Sequence, residues 1–311
     1  MTYRIVHRTT YQYTELVSVS HHAARVKPRN TVNQQREEFS LSITPTPAVR
    51  KMRTDFFENR VCFFSIQELH REFELEAVSR VTVAPVTPPV PSLSPDWQEV
   101  GDLFRDPVSP EVVEPYQFCF DSPMVRTSPV FADYARASFP RDTPLLVGVR
   151  DLNRRIFSDF KYDPVATTVT TPIEEVWETR RGVCQDFAHL AIASLRSLGV
   201  PSRYVSGYLR THPPAGQPRR IGADATHAWF AVYCPSIGWV DFDPTNNVMP
   251  GEEHITVACG RDFSDVSPVS GIITGGGSHT VRVSVDVAPA DGEPAEGEPA
   301  DTADKQSPDD D

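Results

Sequence analysis

Thr179-Arg180-Arg181-Gly182-Val183-Cys184-Gln185-Asp186-Phe187-Ala188-His189, running on to Val200, is the stretch whose reading decides the fold. Beyond Cys184 the apolar residues fall at Phe187, Leu190, Ala191, Leu195 and Leu198, the three-and-four spacing of one buried helical face, and Gly199 with Pro201 stop the helix. Gly182 lets the incoming chain turn sharply. A thiol in a helix's first turn lies beside unpaired N–H groups and the positive end of the helix dipole, both of which favour the thiolate. The stretch therefore predicts a helix that presents a nucleophilic cysteine at its start.

A lone cysteine is more often an inert core thiol, so the reading depends on two stretches downstream. Ala225-Thr226-His227-Ala228-Trp229-Phe230-Ala231-Val232-Tyr233 and Gly238-Trp239-Val240-Asp241-Phe242-Asp243-Pro244-Thr245 predict two short strands joined by a turn over 235–238. One carries a histidine and the other two aspartates. A thiol nucleophile needs a base to take its proton and a third group to hold the base's ring in one orientation and tautomer. Asp241 and Asp243 lie on one face of the strand, and spacing alone does not separate them. His189, five residues after Cys184, lies well round the helix from it and reads as structural.

Gly182-Val183-Cys184-Gln185-Asp186, Arg203-Tyr204-Val205-Ser206-Gly207-Tyr208, His227-Ala228-Trp229 and Asp243-Pro244-Thr245-Asn246 together resemble the bacterial transglutaminase-like superfamily. The resemblance covers most of 145–287, and 3–83 also looks like the β-rich N-terminal region that accompanies this core in bacterial members. It implies a papain-like core with Cys184 as nucleophile, His227 as base and, through the Asp-Pro-Thr motif, Asp243 as the orienting carboxylate. The activity it implies is acyl transfer on a glutamine carboxamide or peptide bond through a thioester. Transamidation and hydrolysis by a protease or amidase both remain open, because cleft shape and water access choose the acceptor. A reading of another class, a binding or assembly module that keeps the fold without turnover, is disfavoured by the presence of all three residues.

An acyl-transfer site also needs donors for the developing oxyanion. The backbone N–H of Cys184 is the natural first donor, and the side chain of Gln185 or Tyr162 could supply the second. Asp186 either serves the family motif or simply favours the helix N-terminus. Trp229 and Tyr208 could line a substrate cleft or pack in the core.

The remaining chain sets the frame. Tyr3, Ile5, Tyr11 and Tyr13 alternate with polar residues, as do Phe39, Leu41 and Ile43, then Phe73, Leu75 and Ala77, while Phe56-Phe57 and 61–66 flank a polar Glu58-Asn59-Arg60 turn. These strands predict an all-β, sandwich-like N-terminal domain over 1–84. The prolines of 85–95 make a stiff connector. A catalytic core follows over 96–287, helices first (128–139, 144–157 and one starting at Thr171-Pro172-Ile173-Glu174), then an antiparallel sheet that includes Val281, Val283, Val285 and Val287. The fold class is α+β. The proline connector also predicts that the N-terminal domain packs on the core.

Of the formal charge of −12, residues 288–311 carry nine acids against Lys305 alone and leave about −4 for the rest. That tail reads as a disordered acidic appendage. Without a concentrated basic surface, nucleic acid is not an expected partner, and the expected partner is a protein or peptide amide with an amine as acceptor. Adjacent strand residues face opposite ways, so His21-His22 does not predict a metal. No calcium-loop pattern appears, and the reading calls for no cofactor. Five widely spread cysteines predict reduced thiols, and with no apolar spanning run and no leader in view the default expectation is a cytoplasmic protein away from the membrane.

Overall fold

β1 (Thr2–Ala24) alternates buried and exposed side chains between its two faces, its backbone pairs along both edges, and the N-terminal region is built on both. The computed structural model describes residues 1–105, 110–211, 225–290 and 305–306. On one edge β1 pairs with β5 (His70–Val83), from Thr2↔Thr82 to Gln12↔Glu72, and β5 pairs in turn with β2 (Gln34–Thr44). Register shifts after Gln12 bend the strand, and its far end, Ser20 to Ala24, pairs with β4 (Arg60–Ile66), which carries β3 (Val49–Thr54). The region is β-rich as expected, but one bent sheet does the work of two. Tyr13, Val17, Leu41, Ile43, Phe64, Ile66, Phe73 and Leu75 form its own core.

The irregular 85–95 segment leads into five helices: α1 (Trp97–Arg105), α2 (Pro110–Tyr116), α3 (Pro129–Arg136), α4 (Leu145–Asp159) and, after the two-residue strand β6 (Lys161–Tyr162), α5 (Ile173–Thr179). Arg180 ends α5 in the left-handed conformation (φ 56°) and turns the chain into β7 (Arg181–Gly182), parallel to β6. Next comes α6 (Cys184–Arg196). Ala188 and Leu190 to Leu195 are buried to the last few per cent, so this helix is central to the second core rather than a surface helix. It packs on a four-stranded antiparallel sheet of β8 (Ser202–Leu209), β9 (Ala225–Cys234), β10 (Gly238–Phe242) and β11 (His254–Gly260), in the order β10-β9-β8-β11. The mixed α+β architecture and the helix-on-sheet core match the expectation. A short α7 (Phe263–Val266) follows β11.

The last strands go elsewhere than the sequence reading places them. β12 (Val269–Gly275) and β13 (His279–Pro289) do not join the core sheet; both pair antiparallel with β1, β13 from Tyr3↔Pro289 to Tyr13↔His279. The alternating valines specify a half-buried strand but not its partner, and the free edge of β1 takes it. Ala288 and Pro289, read as tail, belong to β13. Lys305–Gln306 form a two-residue strand, β14, against Thr280 and Val281, and the rest of the acidic tail lies outside the described residues.

The two regions share one apolar core, in which Tyr3, Ile5, Val81, Val285 and Val287 pack with residues of α4, α6 and the core sheet. Polar contacts reinforce the join. The side chain of Gln34 donates to Thr256 O and accepts from Thr256 N, both at 2.8 Å, and Asn59 does the same with Cys259 at 2.8 Å in each direction. Thr256 and Cys259 lie on β11, the edge of the core sheet, so two side-chain amides stand in for a missing fifth strand and satisfy backbone groups that burial would otherwise orphan. Asn59, read as part of a polar turn, is fully buried.

Candidate active site

Cys184, His227 and Asp243 come together from three elements. Asp186, in the first turn of α6, folds back so that its carboxylate accepts from Val183 N at 2.8 Å and from the Thr167 hydroxyl at 2.7 Å, which fixes the turn that delivers Cys184. Gly182 is needed there because a Cβ would fall 2.6 Å from the Asp186 carboxylate. His227, the third residue of β9, bonds Asp243 Oδ2 through Nε2 at 2.7 Å and lies close enough to Cys184 for the sulfur to act on its titration. With Nε2 committed to the carboxylate, Nδ1 is the ring nitrogen left for the sulfur. Asp243 follows β10, its backbone bridged to Val248 in both directions and its carbonyl accepting from Asn153 of α4 at 3.2 Å.

Electrostatics hold the His227–Asp243 pair charged. Burial alone would lower the His227 pKa, but the hydrogen bonds from Asp243 and Cys184 and the negative charge of both overcome it and push it up to about 10, so the ring is an imidazolium at neutral pH. Burial works to raise the pKa of Asp243, and donors from His227, His254 and Asn246 outweigh it and hold the carboxyl well below the usual range. Five donors reach this buried carboxylate: Thr245 N (2.9 Å) and Asn246 N (3.2 Å) on Oδ1, and His227, Asn246 Nδ2 (2.7 Å) and His254 Nε2 (3.1 Å) on Oδ2.

Asp241, which spacing could not separate from Asp243, pairs opposite Ala231 and accepts from Trp229 Nε1 at 3.1 Å, with no bond to His227 among the described contacts; burial raises its pKa. Trp229 is wholly buried with Val205, Ala231 and Cys259 and lines no cleft. Tyr208 is likewise buried, and its hydroxyl shares a 3.0 Å hydrogen bond with His7 Nδ1 at the join between the two regions. Gln185 donates to Val169 O at 3.0 Å and braces the loop ahead of α5. Tyr162 is half exposed and close enough to Cys184 that burial first, and then the sulfur's charge, raise its pKa. His189 is structural as expected: it is buried, accepts from Phe263 N at 3.2 Å, and burial pushes its pKa down to about 4.

His254 is the residue the sequence reading missed. With His227 and Asp243 it offers three donor atoms within 4.8 Å of one another, a set of the kind that can hold a metal. Both imidazoles, however, aim Nε2 at one carboxylate oxygen, 2.7 and 3.1 Å away, as N–H donors do, rather than around a shared centre at about 2.0–2.2 Å from each ligand.

Residues 3–82 match the bacterial transglutaminase-like N-terminal region, and residues 133–244 match the transglutaminase-like superfamily core. An uncharacterized protein of Mycobacterium tuberculosis is 39% identical over 296 residues, covering 94% of each chain. The chain belongs to the transglutaminase-like superfamily. A Pseudomonas aeruginosa protein-glutamine gamma-glutamyltransferase is 32% identical to this transglutaminase-like chain over 99 residues, 29% of this chain and 15% of that one. The same fold is seen in a Cytophaga hutchinsonii protein whose structure carries a provisional cysteine-protease name, at 22% identity and TM-score 0.71, with 96% of this chain and 93% of that one aligned.

Proposed function

We propose that this transglutaminase-like protein is a cysteine-dependent acyl transferase acting on an amide, a glutamine carboxamide or a peptide bond. One observation carries the reading: His227, beside Cys184, has its Nε2 held 2.7 Å from a buried, ionised Asp243. That is the arrangement a thiolate–imidazolium pair requires.

The Cys184 thiolate attacks the amide carbonyl carbon, forming the S–C bond and an oxyanion. In this reading the backbone N–H at the start of α6 and the Tyr162 hydroxyl donate to it. His227 gives its proton to the amide nitrogen, the C–N bond breaks, and ammonia or an amine leaves the thioester. A primary amine then attacks, His227 takes its proton, and the new amide releases the thiolate. Water in place of the amine gives hydrolysis. Each step uses groups of this chain. Five unpaired thiols suit a reducing compartment, and the cytoplasm is the location that goes with this reading.

The test is a glutamine-containing peptide incubated with the protein and a fluorescent primary amine. The expected result is an acyl adduct on Cys184 by intact mass and an amine-linked product, both lost in Cys184→Ala. A hydrolysed peptide alone would assign an amidase, and no Cys184 adduct with any amide substrate would leave the fold serving a binding role.

A further inference from the structure

His254 is the first residue of the edge strand β11 and His227 lies on β9, so β8 runs between them. Leu209 is opposite His254 and Gly207 is opposite His227, which puts both rings on one face of the sheet. Gly207 cannot carry a side chain: a Cβ would fall 2.2 Å from Ile255 O and 2.5 Å from the Trp229 ring. Trp229 packs across that gap and meets His254 edge-on, with centroids 5.3 Å apart at 87°. The tryptophan walls His254 in, and its side chain is 8% exposed. Its Nε2 is 3.1 Å from Asp243 Oδ2, and because an ionised carboxylate only accepts, that nitrogen carries the hydrogen.

Two imidazoles thus share one oxygen, and one of them faces the nucleophile. We propose that His254 is a positioning residue for the acyl-transfer centre: its Nε2–H fixes Asp243 Oδ2 where His227 needs it, and it takes part of the carboxylate's charge that would otherwise fall on His227. The first effect keeps the His227 ring aligned with Cys184. The second limits how tightly His227 holds its proton, which it must surrender to the leaving amine and take back from the acceptor. The other charged groups facing the pair are Cys184 from α6, Asp241 from β10 with Arg203 of β8 against it, and Arg210 with Glu253 at the strand ends.

The inference rests on the proposed acyl transfer, but its first readout does not need turnover. The His227 ring is followed by NMR of histidine-labelled protein across pH in the native chain, His254→Phe, His254→Leu and His254→Gln. Phe keeps the volume without a donor, Leu removes both, and Gln places an amide N–H near the same point. The His227 midpoint should rise by about 0.5–1 pH unit in the Phe and Leu variants and return with Gln. In the acyl-transfer assay the Phe and Leu variants should lose about 10–100-fold in kcat and Gln should recover most of it. An unmoved His227 midpoint in either folded variant overturns the proposal. So does an Nδ1–H tautomer for His254 in the native protein, which needs no variant to fold. Absence of turnover in the native chain, with the His227 midpoint responding as described, would overturn the function and not the placement of His254.

Discussion

Asn59, in the turn between β3 and β4, and Cys259, on β11, exchange two hydrogen bonds: Asn59 Nδ2 donates to Cys259 O, and Cys259 N donates to Asn59 Oδ1, each at 2.8 Å. The same Oδ1 accepts from Arg29 at 2.7 Å. Asn59→Ala leaves a buried N–H, a buried carbonyl and a guanidinium short of partners, and a loss of about 2–4 kcal/mol in unfolding free energy is expected. Denaturant titration checks this. A loss below about 0.5 kcal/mol would mean that water replaces the amide and the surrogate-strand account is wrong.

Cys184 should be alkylated first of the five cysteines near pH 6.5. Burial raises the pKa of Cys62, pushes that of Cys234 up to about 11 and that of Cys119 up to about 12, and Cys259 is itself buried, whereas Cys184 is partly exposed and lies beside the His227 imidazolium. Peptide mapping after brief iodoacetamide treatment reads the order. His227→Ala should slow Cys184 labelling at that pH about tenfold or more, and Asp243→Asn should suppress turnover more than labelling. Prior labelling of any other cysteine contradicts the pairing.

Tyr162→Phe separates the oxyanion role from the nucleophile. The expected result is a fall in the rate of thioester formation of about 10–100-fold with the alkylation rate of Cys184 unchanged. Equal loss in both would make Tyr162 a packing residue for the Cys184 turn.

Stability should fall at both ends of the pH range for opposite reasons. His7, His22 and His189 have folded pKa values pushed down to about 4, first by burial. The unfolded chain takes their protons near pH 6.5, so stability present above 6.5 is lost as pH falls toward 4. His227 has the reverse sign: its contribution is complete below 6.5 and is lost as pH rises through about 10. His22 packs against both Phe64 (5.0 Å) and Phe73 (4.7 Å), which also touch each other, with Nε2 unpartnered, so His22→Phe should raise Tm and flatten the acid limb. A lower Tm at pH 5 than the native chain would refute the assignment.

The sequence made the nucleophile helix legible because apolar spacing, Gly199 and Pro201 are local signals, and it made Cys184 and His227 legible because each lies inside a strongly patterned element. Asp241 and Asp243 could not be separated by period two, since both project from one face; their partners separate them, Trp229 for one and His227 for the other. His254 opens an ordinary alternating strand, and its polar-face position beside Thr256 was the only local hint. Its role depends on β11 lying against β8, a register no local pattern sets. The contacts of Gln34 and Asn59 with β11 carry no local signal, because those partners are backbone groups 222 and 200 positions along the chain. The valines of β13 announced a strand and not its neighbour.

Because Tyr3 pairs with Pro289 and Tyr13 with His279, β1 stays open along this edge until residues 279–289 have been synthesised. Helix α6 and the core sheet are synthesised while β1 still lacks that partner. The N-terminal sheet is therefore finished after the reactive centre, in a pairing of very large sequence separation that slows the final step. A nascent chain stalled before β13 would display a long unprotected strand edge, and a chaperone that shields such edges would find this protein as a client from the appearance of β1 until β13 has been made.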